Sequence, residues 1–206
     1  TDSGTFSCIG LGILKGAVPY RDIWEQKPPM VFYLNALALG IGDRTIHSVR
    51  WMERGFGAAR AALFFAVLLL VFRSGWLAFL ATAFFLWHFY HSAVIEWGNL
   101  TEEYANAFAL GGLCLAVVSR RMSGRSSIEA ALLSGLLFSL AVFCKEPFVL
   151  SSVPWFFYLL ARRDEGWRGV AWRAGAFVAG ALVPLAVFAG YFAAKGALIA
   201  WLDAIS

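Results

Sequence analysis

Charge is what this sequence has least of. Asp, Glu, Lys and Arg make up 15% of its 206 residues, against roughly 25% in a water-soluble domain, which argues against a solvated shell around one soluble core. Cysteine is scarce as well, with 3 in the chain. Cys114 and Cys144 fall inside apolar blocks and Cys8 stands alone, so no paired spacing suggests a disulfide framework or a metal knuckle; all three read as packing residues. No internal repeat, low-complexity tract or soluble second domain is visible. Thr1 is followed by neither a basic n-region nor an apolar h-region, so no signal peptide or first anchor is seen, and the chain looks cut at both ends. The expected unit is a single incomplete transmembrane domain over residues 1–206.

What is present is hydrocarbon. Hydrophobic residues account for 60% and aromatics for 17%, with a mean hydropathy of +0.69. The apolar residues come in blocks long enough to cross a bilayer core, which takes about 20 residues at roughly 1.5 Å each. Candidate spans are 48–72, 76–95, 101–119, 128–144, 147–161 and 174–194, and Trp76, Trp97, Trp155, Trp167 and Trp172 near their ends suit an interfacial aromatic belt. Residues 1–42 are interrupted by Lys15, Arg21, Asp22, Glu25 and Lys27 and broken by Pro19, Pro28 and Pro29, so they read as a structured loop. Two short helices are expected within it, over 5–14 and 29–39, the second with proline at its start and suited to the membrane interface. The predicted fold is all-α, a polytopic transmembrane helical bundle with interfacial helices in its first outer loop.

Topology follows from arginine. Arg120, Arg121 and Arg125 fill one connection, Arg162, Arg163, Arg168 and Arg173 another, and Arg73 marks an earlier turn; all three belong in the cytoplasm by the positive-inside rule. This clustering in short loops accounts for the net charge of +4 without nucleic acid, which is not an expected partner. For both basic loops to share one side, Lys145-Glu146-Pro147 must be a hairpin on the other. The same bookkeeping puts the 1–42 loop, the 96–103 loop and the tail after Lys195 on that far face, with Asp2, Asp22, Glu25, Glu96, Glu102, Glu103, Glu146 and Asp203.

Several of these groups have simple explanations. Asp2 before a helix is a good N-cap, and Thr101-Glu102-Glu103 caps and charges a helix start favourably. Two acidic clusters converging on one face with Glu146 nevertheless also suit a base for an acceptor hydroxyl or amine. Lys27 and Lys145, each set beside proline, and Arg21 are cations of the kind a departing phosphate needs. Arg60 falls inside the apolar stretch, where ionisable residues are costly and often functional; pairing with Glu53 or snorkelling also accounts for it. His88 and His91, three apart and followed by Glu96, make a metal site conceivable, though interfacial packing explains them better.

The runs Asp2-Ser3-Gly4-Thr5-Phe6, Gly16-Ala17-Val18-Pro19-Tyr20-Arg21-Asp22 and Lys27-Pro28-Pro29-Met30-Val31-Phe32-Tyr33-Leu34 resemble the first outer loop of GT-C membrane glycosyltransferases. The likeness is to the bacterial branch similar to protein O-mannosyltransferases and aminoarabinose transferases, whose second acidic motif is matched by Thr101-Glu102-Glu103-Tyr104. The resemblance implies a polyprenyl-phosphate sugar donor, a protein, lipid or glycan acceptor, and inverting transfer on the periplasmic or extracellular face of a bacterial plasma membrane. It implies Asp2 as catalytic base, Glu102 or Glu103 positioning acceptor or donor, and Lys27 and Lys145 on the lipid phosphate, with Arg21 and Arg60 as further phosphate-binding candidates. No cofactor is certain, and a divalent metal stays open. Many relatives carry Asp-Glu where this chain has Asp2-Ser3, and the family's first span and C-terminal part are missing, so this piece alone is expected to be inactive. The rival readings are a transporter or flippase of a lipid-linked substrate, a polysaccharide polymerase or ligase, and a structural subunit.

Overall fold

The computed structural model describes residues 2–89, 98–119, 121–153 and 166–205, apart from the side chains of residues 2, 3 and 89. Among the described residues the fold is all-helical; the nearest approach to a strand is an isolated bridge between Pro19 and Ile23. Two short helices come first, α1 (Asp2–Leu14) and α2 (Met30–Ile41). Then follow α3 (Ile46–Phe72), α4 (Gly75–Phe89), α5 (Thr101–Ser119), α6 (Arg125–Cys144), α7 (Gly166–Ala194) and α8 (Leu198–Ile205).

Three of these helices, α3, α6 and α7, are long and apolar enough to cross a membrane. The 27 residues of α3 reach about 40 Å, more than the roughly 30 Å of a hydrocarbon core. Thr45 caps its start by accepting a hydrogen bond from the His47 amide at 3.2 Å, and left-handed Arg73 stops it. Of the other expected spans, α5 carries Glu102 and Glu103 in its first turn, and α4 is described over 15 residues. Residues 90–95 and 154–161, the remainders of two expected spans, lie outside the described residues, as do Trp97, Trp155, Arg120, Arg162 and Arg163.

Large apolar side chains stay on the outside. Phe72, Trp76, Phe79, Phe84 and Trp87 are all more than half exposed, a surface that suits lipid and not water. Between helices, contact is made by small residues. A Cβ on Gly135 would collide with the Phe177 carbonyl, and one on Gly180 with the Leu132 carbonyl, so α6 and α7 meet backbone to backbone. Ser134 donates to the Gly112 carbonyl across α5 and α6 at 2.8 Å. Close approach through glycine and hydroxyl bonds between helices are the means of association where burial of apolar surface gives no drive.

The bundle has two distinct ends. At one, Arg121 donates to the Leu70 carbonyl at 3.0 Å, bringing the α5–α6 connection against the α3 terminus that holds Arg73. At the other, Phe6, Tyr20, Phe32, Tyr104, Cys144, Phe192 and Trp201 share one core cluster. This gathers the 1–42 loop, the start of α5, the end of α6 and the α7–α8 corner.

Candidate functional site

The loop between α1 and α2 is held by hydrogen bonds around one tyrosine and one arginine. Tyr20 sits at a φ of 69°, a left-handed value uncommon for a bulky residue. Its amide donates to the Ile23 carbonyl at 2.8 Å and its hydroxyl to the Lys27 carbonyl at 2.7 Å. Burial holds its phenol protonated far above the usual range, and Tyr33, Glu146 and Glu25 push the same way. Arg21 grips both oxygens of Asp22 at 2.9 Å and donates to the Lys195 carbonyl at 2.7 Å, tying the loop to the end of α7. The Arg21 guanidinium, then the Val18 amide at 2.8 Å, hold the Asp22 carboxyl down at about 2. Pro29 precedes α2 as its N-cap residue. The Lys27 ammonium makes no hydrogen bond or ion pair among the described residues.

The acidic turn of α5 meets the end of α6. Lys145, extended just past Cys144, donates from Nζ to Glu102 Oε1, and Thr101 Oγ1 donates to Glu102 Oε2 at 3.0 Å. The chain turns over residues 146–147 and helix resumes at 148. The Lys145 and Glu102 side chains are 31% and 38% exposed, so the pair is reachable from outside. Glu103 is turned inward at 7% exposure, where the charge of Arg60 bears on it. Arg60 is fully buried, with its guanidinium 5.8 Å from the Phe85 ring, so it does not snorkel. The charges of Arg50 and Arg54 also bear on Glu53.

The two asparagines behind this turn have no place among the candidates read from sequence. Asn35 on α2 and Asn99 ahead of α5, 0% and 1% exposed, exchange amide hydrogen bonds of 3.1 and 2.9 Å. Tyr104 adds a bond to Asn99 Oδ1 at 3.0 Å. One signal could have found Asn35: it is the single amide in the apolar run of α2, and a buried amide is costly unless fully paired.

Further along α5 than the acidic turn, between α3 and α5, runs an apolar groove of about 960 Å³, walled by Met52, Phe56 and Leu63 of α3 and Phe108 of α5, and lined also by Asp43 and His47. Its Phe56 also packs edge-on against Tyr104 at 4.9 Å.

The structure therefore joins Glu102 to Lys145, buries Glu103 where the charge of Arg60 bears on it, and ties Arg21 to Asp22 and the end of α7. Asp2 opens α1, but its side chain lies outside the description. His88 stacks on Phe84; His91 and Glu96 lie outside the described residues, and among the described ones no three His, Cys, Asp or Glu side chains come together as a metal site. No protein-family model, no curated protein and no solved structure matches this chain.

Proposed function

We propose that this chain forms part of a membrane glycosyltransferase of the GT-C type, moving a sugar with inversion from a polyprenyl-phosphate donor to an acceptor on the non-cytoplasmic face. The observation that carries the reading is the Glu102–Lys145 pair, which joins an acidic turn and a cation from separate loops while leaving both partly open. In such a transfer the bond from anomeric carbon to phosphate oxygen breaks as the acceptor heteroatom bonds to that carbon from the opposite side. The acceptor proton passes to a carboxylate, and the leaving phosphate keeps the electron pair. Asp2 is the proposed base. Glu102 or Glu103 positions a substrate, and Lys145 and Lys27 bind phosphate oxygens. Arg60 acts from below through Glu103, and the apolar groove beside Tyr104 suits an isoprenoid chain.

Transport of a lipid-linked substrate is the second reading, favoured by one observation: Arg60 is buried within an apolar span, with its charge bearing on Glu103, and buried charges mark transport paths.

Release of polyprenyl phosphate from a polyprenyl-phosphate sugar by the purified full-length protein separates the two readings, because a transporter leaves that bond intact. The decisive variant is Asp2→Asn. Asn caps a helix as well as Asp does, so the variant should insert and bind donor normally yet lose transfer by at least about a hundredfold. Near-normal release would reduce Asp2 to a cap and move the base to Glu102 or Glu103.

A further inference from the structure

We propose that the Asn35–Asn99 amide pair is the joint that sets where the acidic turn of α5 stands against the α1–α2 platform, making both asparagines positioning residues for Glu102 and Glu103. The joint is a matter of geometry; only the use made of the two carboxylates rests on the transferase reading.

The hydrogen-bond accounting at Asn35 is complete. Its Nδ2 donates to the Val31 carbonyl at 2.9 Å and to Asn99 Oδ1 at 3.1 Å. Its Oδ1 accepts from Asn99 Nδ2 at 2.9 Å and from Ser7 Oγ at 3.2 Å. Both donors and both lone pairs of one side chain are therefore used, and they reach α1, α2 and the α5 leader together. Asn99 Oδ1 in turn accepts from Asn35 and from Tyr104. Since Asn99 precedes the Glu102-Glu103 dipeptide and Tyr104 follows it, the acidic turn is tethered on both sides to the same oxygen.

The backbone approach is equally constrained. Gly98 and Asn99 are consecutive left-handed residues, at φ 80° and 56°. A side chain on Gly98 would meet Glu53 Oε1 at 3.0 Å. On the platform side, a Cβ on Gly10 would stand 2.9 Å from the Ala36 amide nitrogen, so α1 lies hard against α2 at the asparagine. An apolar pair could fill this volume at less cost in desolvation. It would leave the register to close contacts such as Gly10 on Ala36 alone, whereas a reciprocal amide pair in a low-dielectric interior has one fully satisfied arrangement and adds a polar constraint to them.

Reciprocity makes the joint testable by pH. In Asn99→Asp a neutral carboxyl can reproduce the pair, donating its O–H to Asn35 Oδ1 and accepting from Asn35 Nδ2. An ionised carboxylate cannot, because it sets an acceptor against Asn35 Oδ1. Among the described residues the ionisable groups around that position include Glu53 beside Gly98, and Glu103, Cys144 and Tyr104. The experiment is hydrogen exchange over residues 98–105 in the full-length protein, corrected for the intrinsic pH dependence of exchange. In alkaline buffer Asn99→Asp should exchange at least about tenfold faster than the parent, the loss of roughly one hydrogen bond, and should recover on acidification. Asn99→Leu should be loosened at every pH. Tyr104→Phe, which removes one bond to Asn99 and keeps the ring, covers the case in which Asn99→Asp does not accumulate, and several-fold faster exchange is expected there. Parent-like exchange in these variants, or loosening of Asn99→Asp without acid recovery, would overturn the joint. Release of polyprenyl phosphate by Asn99→Asp should follow the same pH profile; release indifferent to a loosened turn would overturn the positioning role. A parent protein with no transfer at all would sink the proposed function, and the exchange result would still decide the joint.

Discussion

Glu102, in the first turn of α5, accepts a hydrogen bond from Lys145, which follows the last residue of α6 and lies 43 positions further along the chain. The pair closes one end of the α5–α6 contact, and each partner remains about a third exposed. An ion pair this open contributes at most about 1 kcal/mol to stability, which leaves room for a role in binding.

If Lys145 binds a phosphate, its loss should cost donor use more than it costs folding. Lys145→Met in the full-length protein should raise the donor KM at least about tenfold, more than 1.4 kcal/mol of binding, while expression and melting stay near those of the parent. Glu102→Gln should show a different effect, since it frees the cation instead of removing it. A double-mutant cycle on donor KM measures their coupling. Independent, additive effects would show that the pair does not act as one unit toward the donor.

Sidedness gives a second test. By the positive-inside rule the arginine-rich connections are expected in the cytoplasm; Glu146, at the end of the bundle opposite the Arg121–Leu70 contact, should then face outward. In a Cys8→Ser background, Glu146→Cys should react with a membrane-impermeant thiol reagent added to intact cells. Labelling only after the membrane is opened would reverse the topology and with it the proposed face of the reaction.

Asp22 supplies a pH dependence with a definite sign. Its carboxyl is held down to about 2 from 3.8 by Arg21 and the Val18 amide, so its contribution to anchoring the loop is present above the unfolded value and is lost as pH falls through the folded one. Limited proteolysis of the loop should therefore be flat from neutral pH to about pH 4 and rise steeply below it. Asp22→Asn should remove that acid step. An unaltered acid step in the variant would assign it to other carboxylates.

Much of the helical pattern was legible in advance. Helices expected over 5–14 and 29–39 are observed as Asp2–Leu14 and Met30–Ile41, because glycine, proline and charge punctuate the apolar runs on either side. The interruption at Lys145 was legible for the same reason. The long-range contact of Arg21 was not: its partner carbonyl is 174 residues away, and no local pattern points to it. Nor was the burial of Arg60, since a helical sequence shows that an arginine lies in an apolar stretch but not whether a neighbouring helix covers it.

By itself the sequence determined that the chain is helical and apolar enough for a membrane, because span length, hydropathy and helix punctuation are local properties of composition and order. Tertiary structure alone decided which polar groups meet: Glu102 with Lys145, and Asn35 with Asn99 across 64 positions. The reason is that an unpaired polar group in a low-dielectric interior is costly, so each must find a partner, and which one it finds depends on the register in which whole helices pack. That register is set by close contacts such as Gly135 on Phe177 and Gly180 on Leu132, between residues far apart in the chain.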